Sequence, residues 1–140
     1  KISFVGDAMR YMDRNTGYGQ ASEMIYRSFR QLGITCGFEL KNPDIEISFA
    51  DPWSHKFKNK NAYKIAYSAW ESTDLDEDAI EAMSEADEIW GTSQWVQNVY
   101  SYIFPDKPTF LENNKRKIVG IGDQLSLFNL VFNIANTFNF

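Results

Sequence analysis

The stretch Tyr63–Tyr100, YKIAYSAWESTDLDEDAIEAMSEADEIWGTSQWVQNVY, decides the fold. Tyr63-Lys64-Ile65-Ala66-Tyr67 is a short run of β-forming residues and predicts a strand centred on 65–67. Ser68-Ala69-Trp70-Glu71-Ser72-Thr73-Asp74 then places polar groups just past a strand end. Thr73 or Asp74 is expected to cap a helix around 76–85, with Asp76, Glu77 and Asp78 at the positive end of its dipole. Ile80 and Met83 form its inward stripe. Ala86–Trp90 reads as the next strand, with 88–90 as its centre. Gly91-Thr92-Ser93 turns into a helix over 94–102 that is expected to show Trp95, Val96, Val99, Tyr100 and Ile103 to the core. Two successive strand–turn–helix units predict a parallel sheet with its functional groups at the strands' C-terminal ends.

Upstream, Ile2-Ser3-Phe4-Val5 is a buried first strand, followed by Gly6-Asp7 and a polar loop from Ala8 to Asn15. That loop exceeds the usual strand–helix connection of about 2–6 residues. Gly17-Tyr18-Gly19 leads into an amphipathic helix over 19–32, where Ala21, Met24, Ile25, Ser28, Phe29 and Leu32 share a face and Gly33 supplies the left-handed cap. Thr35–Phe38 and Ile45–Phe49 are the second and third strands, the latter alternating at period two. Ser54–Asn61, with His55 and three lysines, reads as an exposed loop. The whole predicts an α/β fold: one Rossmann-like three-layer domain over 1–104 with a parallel central sheet and right-handed crossovers. Residues 105–140 read as a linker and an apolar C-terminal helical segment. In that segment, Asn129, Asn133 and Asn136 form a narrow polar stripe along an otherwise apolar run from Leu125 to Phe140. With two apolar flanks, residues 125–140 are expected to pack on their own domain and on a second copy, giving a homodimer.

A length of 140 residues fits one domain with a real core. A formal net charge of −5 argues against nucleic acid or an anionic membrane as partner, because nothing offsets phosphate repulsion. The single cysteine, Cys36, excludes an internal disulfide and reads as a small buried strand residue in a reducing, cytoplasmic setting. Lys1 leads directly into a strand, so no signal peptide or membrane span is expected. His55 is the only histidine, and it reads as a solvated loop residue. With no second histidine or cysteine beside it, no metal is expected to be required.

The candidate site residues lie where strands end. Gly17, Tyr18 and Gly19 open a helix, where glycines admit a close ligand and free N–H groups suit an anion; a plain turn is the other reading. Trp70, Glu71 and Ser72 follow the fourth strand. A carboxylate and an indole there can hold sugar hydroxyls and stack on a sugar face, and Glu71 is the candidate catalytic residue. The competing reading is a helix-capping segment with Trp70 in the core. Asp7 and Asp51 end strands on the same edge, so three carboxylates are expected to line one crevice as substrate-binding groups. Ser93 opens a helix, where a serine ordinarily caps, and is kept as a further substrate-binding candidate.

The ordered set Trp70-Glu71-Ser72, an acidic helix, Asp87-Glu88-Ile89-Trp90 and Thr92-Ser93-Gln94-Trp95 resembles the N-terminal half of GT-B-type, nucleotide-sugar-dependent glycosyltransferases, over roughly positions 1 to 104. The resemblance implies transfer of a sugar from a nucleotide sugar to an acceptor hydroxyl, with a sugar or glycan acceptor on this domain. It also implies that Gly17 and Gly19 face the donor's diphosphate. The family's donor-binding domain, with its paired glutamates, does not fit in the residues after Phe104, so the chain resembles half an enzyme: a fragment, or a free-standing domain that has lost its donor half or borrows it from a separate donor-binding domain. Leu111-Glu112-Asn113-Asn114 stands where the family has Pro-x-Gly-Val-Asp. No tightly bound cofactor is implied, and little turnover is expected of this half alone.

A second class of function is a small receiver-like or effector-binding α/β module. Asp7, Asp51-Pro52 and Ser68 after the first, third and fourth strands motivate it. The second acid after the first strand and a lysine after the last, which a receiver needs, are both missing. A third is an interaction domain assembling through its apolar tail.

Overall fold

Alternation along the strands sorts the two faces of the sheet before any helix is placed. In the third strand Ile45, Ile47 and Phe49 join one apolar cluster, while Glu46 and Ser48 point the other way and are fully buried. The computed structural model describes residues 1–6, 12 and 15–109. Along them run β1 (Ile2–Val5), α1 (Gly17–Gln31), β2 (Cys36–Phe38), β3 (Ile45–Phe49), β4 (Tyr63–Ser68), α2 (Glu77–Ser84), β5 (Glu88–Gly91) and α3 (Gln94–Ile103). The strands form one parallel sheet in the order β2-β1-β3-β4-β5, with Ile2 facing both Cys36 and Ile45 in register. The sheet is the Rossmann-like arrangement expected from the sequence, and each strand falls within two residues of its expected bounds. Asp7 and the whole segment 110–140, including the expected helical tail and its homodimer contact, lie outside the described residues.

Three layers follow from the two apolar clusters. α1 packs Ala21, Ile25 and Phe29 against Phe4, Ile47, Phe49 and Ile65 on one face. α2 and α3 pack Ala79, Met83, Val96, Val99 and Tyr100 against Ala66 and Ile89 on the other. α1 ends as its glycine foretells: Gly33 has φ +74°, its N–H bonds to Arg30 O, and Ile34 N–H reaches back to Phe29 O. Leu32, expected on the inward face, is the cap residue and turns partly out to solvent.

The second face under β1 and β3 is largely polar, and among the described residues no helix covers it. The 54–61 loop seals it instead. Glu46 accepts the N–H groups of Lys58 at 2.9 Å and Asn59 at 3.1 Å, as well as the Asn59 amide. His55 Nδ1 meets Ser48 Oγ at 3.0 Å. His55 is therefore 5% exposed, not the solvated loop residue expected. Buried polar side chains on a strand need polar cover, and this loop supplies it.

Two further expectations are corrected. The cap of α2 is Asp76, whose carboxylate accepts Ala79 N–H at 2.9 Å; Thr73 and Asp74 precede it by a turn. Trp95 is 45% exposed rather than in the core. The inward face of α3 is centred on Val96, Val99, Tyr100 and Ile103, and Trp95 stands roughly a quarter turn away from it. Gln97 is buried instead, because α3 starts hard against the end of β5. A Cβ on Gly91 would lie 2.7 Å from the Gln97 backbone nitrogen, which is why a glycine stands there.

Candidate functional site

In this strand order the chain leaves β1 in one direction for β2 and resumes on the other side with β3. Connections diverge at such a point, and a crevice opens beyond the C-terminal ends of the two strands. A cleft of about 630 Å3 lies there, with Gly6 after β1, Thr16 and Tyr18 from α1, and Asp51, Trp53 and Lys56 from the β3–β4 loop in its wall. Glu39 and Lys58 line it as well and form an ion pair at 2.7 Å.

Thr16 caps α1, taking Gly19 N–H on Oγ1 at 3.0 Å. The N–H groups of Gly17 and Tyr18 precede the first intrahelical bond, which Gln20 makes to Thr16 O. A Cβ on Gly17 would meet nothing within 4 Å, so packing does not demand a glycine there. Tyr18 packs on Phe49 with the rings tilted and their centroids 4.9 Å apart, and donates its hydroxyl to Ala69 O at 3.3 Å. Burial raises the Tyr18 pKa, and the negative charges of Asp51 and Glu71 raise it further. Tyr18 and Asp51 share the cleft wall, whereas Glu71 does not line it and follows Ala69, the Tyr18 hydroxyl's partner, by two residues. Asp51 holds its own loop, accepting Trp53 N–H at 3.2 Å and the Ser54 hydroxyl at 2.9 Å.

Trp53 is a site residue the sequence reading missed. It is 42% exposed, yet its indole N–H is held by both carboxylate oxygens of Asp76 at 2.8 and 3.0 Å. Its ring also packs edge-on with Trp70, with centroids 5.0 Å apart. Trp70 is half-buried and donates Nε1–H to Asp74 O at 2.9 Å, so the segment around Glu71 is fixed while Glu71 itself stays exposed. The available signal was Asp51-Pro52-Trp53: a tryptophan two residues past a strand-ending acid has no apolar face left to enter.

The other candidates divide. Ser93 caps α3, accepting Val96 N–H at 3.3 Å, and it follows β5, two strands from the switch point, away from the cleft wall. Ser68 is fully buried and gives its hydroxyl to Ala50 O at 2.7 Å. Among the described residues no group of three His, Cys, Asp or Glu side chains could hold a metal ion, and no helix is long and apolar enough to cross a membrane. The arrangement can hold a polar ligand by carboxylate hydrogen bonds, an aromatic plane and a lysine, Lys56, that has no carboxylate partner among the described residues. The chain matches no family model, no curated protein and no solved structure.

Proposed function

We propose that this chain is the acceptor-side domain of a GT-B-type glycosyltransferase, whose donor nucleotide sugar is held by a separate domain. The observation that carries the reading is the cleft at the switch point of the sheet, where Tyr18, Asp51 and Trp53 share one wall and Trp53 packs on Trp70, the residue before Glu71. Carboxylates that accept hydroxyl protons and an aromatic plane that receives an apolar ring face are the two means by which proteins hold sugars. In this reading Asp51 and Trp53 position the acceptor, and Glu71 stands nearest the reacting hydroxyl. Gly17 and Tyr18 offer backbone N–H groups to the leaving diphosphate. A cytoplasmic setting belongs to the proposal, in keeping with the free, buried Cys36.

A receiver-like module is the second reading, favoured by Asp51 at the end of β3 in a 2-1-3-4-5 sheet. Against it stand the buried, hydrogen-bonded Ser68 and Gly91-Thr92-Ser93 where a lysine would follow β5. Backbone amide shifts separate the two. Titration with methyl glycosides is expected to move Asp51, Trp53 and Glu71, with beryllofluoride and magnesium leaving Asp51 unmoved. A response of Asp51 to beryllofluoride alone would overturn the transferase reading.

A further inference from the structure

The loop that walls the cleft carries an unassigned cation. Lys58 is neutralised by Glu39 at 2.7 Å, and Lys64 by Glu85 at 2.8 Å. Lys56 lines the cleft, is exposed, and has no carboxylate partner among the described residues. Within six positions of one loop the cleft therefore presents three different groups. Asp51 is an acceptor for hydroxyls, Trp53 an aromatic plane locked by Asp76, and Lys56 an ammonium without a carboxylate partner among the described residues. The Asp51 carboxylate already takes two donors from its own loop, which fixes its direction and leaves acceptor capacity for a ligand. A neutral sugar satisfies the first two groups and leaves the third idle. A free anion satisfies the third and meets the Asp51 charge with nothing to offset it.

We infer that the cleft's ligand is an acidic sugar: a pyranose that stacks on Trp53, turns hydroxyls to Asp51 and sets a carboxylate or phosphate substituent against Lys56. This rests on the acceptor reading above and adds to it the charge of the acceptor. The three groups line one cleft, so a single ring with one charged arm is the ligand that answers all of them. Lys56 is thereby a specificity-determining residue. A charge-assisted hydrogen bond at a partly enclosed site favours the acidic ligand over its neutral counterpart by about tenfold or more, and that preference weakens with salt.

The test is amide-shift titration of the full 140-residue chain with four probes: methyl β-glucopyranoside, methyl β-glucopyranosiduronate, glucose 6-phosphate and inorganic phosphate. The uronate or the sugar phosphate is expected to bind about tenfold tighter than the neutral glycoside, and whichever is tighter identifies the acidic group. Lys56→Gln is expected to bring the acidic and neutral probes to parity. Lys60→Gln makes the same charge change on the same loop but outside this cleft, and is expected to keep the preference. Equal binding of neutral and acidic glycosides to the native chain overturns the inference and leaves the acceptor reading standing. A preference that survives Lys56→Gln overturns the assignment to Lys56. Inorganic phosphate binding as tightly as the sugar phosphate overturns the sugar part, because the site is then a plain anion site. No shift in the cleft with any glycoside overturns both the inference and the reading beneath it.

Discussion

At the scale of single residues, His55 shows how a buried polar group couples this fold to pH. Its Nδ1 meets Ser48 Oγ, its Nε2 has no partner among the described residues, and burial lowers its pKa to about 4 although the Asp51 charge works in the opposite direction. The unfolded chain binds a proton at this residue near the ordinary value of about 6.5. Between those values the unfolded state holds more protons, so stability is full above about pH 6.5 and falls as pH drops through 4. The loss reaches up to about 3 kcal/mol. Urea unfolding at stepped pH is expected to show that decline, and His55→Gln is expected to flatten the part of it between 6.5 and 4, whatever its effect on stability at pH 7. An unchanged slope in that variant would mean that His55 is not held neutral. The histidine was misread from sequence for a definite reason. Its loop is charged, and its partner Ser48 looked like the outward half of an alternating strand. In a parallel sheet both faces are ordinarily covered, so strands tend to read as continuous apolar runs. The alternation Ile45-Glu46-Ile47-Ser48-Phe49 was itself the sign that a polar cover had to exist.

At the scale of elements, α2 does two things through one side chain. Asp76 caps the helix through Ala79 N–H and clamps the Trp53 indole through both carboxylate oxygens. Asp76→Ala is expected to lower stability by about 1 kcal/mol, the usual loss for a cap, and also to free the indole. Asp76→Ser keeps a capping oxygen and separates the two roles. Stability is expected to recover to within about 0.5 kcal/mol of the native chain, with the indole still released. The release is read as lower fluorescence anisotropy of an exposed tryptophan and weaker glycoside binding. If Asp76→Ser restores binding as fully as it restores stability, the clamp has no part in the site. The elements themselves were legible because each carries its own punctuation: Gly33 closes α1, Ser93 opens α3, and acidic residues fill the start of α2. Asp76 was read as a first-turn acid, not as the cap, because several polar residues precede α2 and sequence does not say which one turns the chain.

At the scale of the whole molecule, the strand order creates the crevice and the loops furnish it. The parallel sheet could be read from the spacing of apolar runs, and the expectation that Asp51 lies at its C-terminal edge was reached in this way; Glu71, expected beside it, does not line the cleft. Trp53 and Lys56 could not be found so. Their place in the cleft wall depends on the path of a helix-free β3–β4 connection, which no periodicity encodes. The central claim is that a sugar ring lies on Trp53 at the switch point, and the chain contains its own control. Trp95, on α3, is exposed to nearly the same extent, 45% against 42%, but does not line the cleft. Intermolecular nuclear Overhauser effects between a bound methyl glycoside and the tryptophan indoles decide between them. The account predicts contacts from the apolar face of the sugar ring to the Trp53 indole protons and none to Trp95. Contacts to Trp95 with none to Trp53 would contradict it.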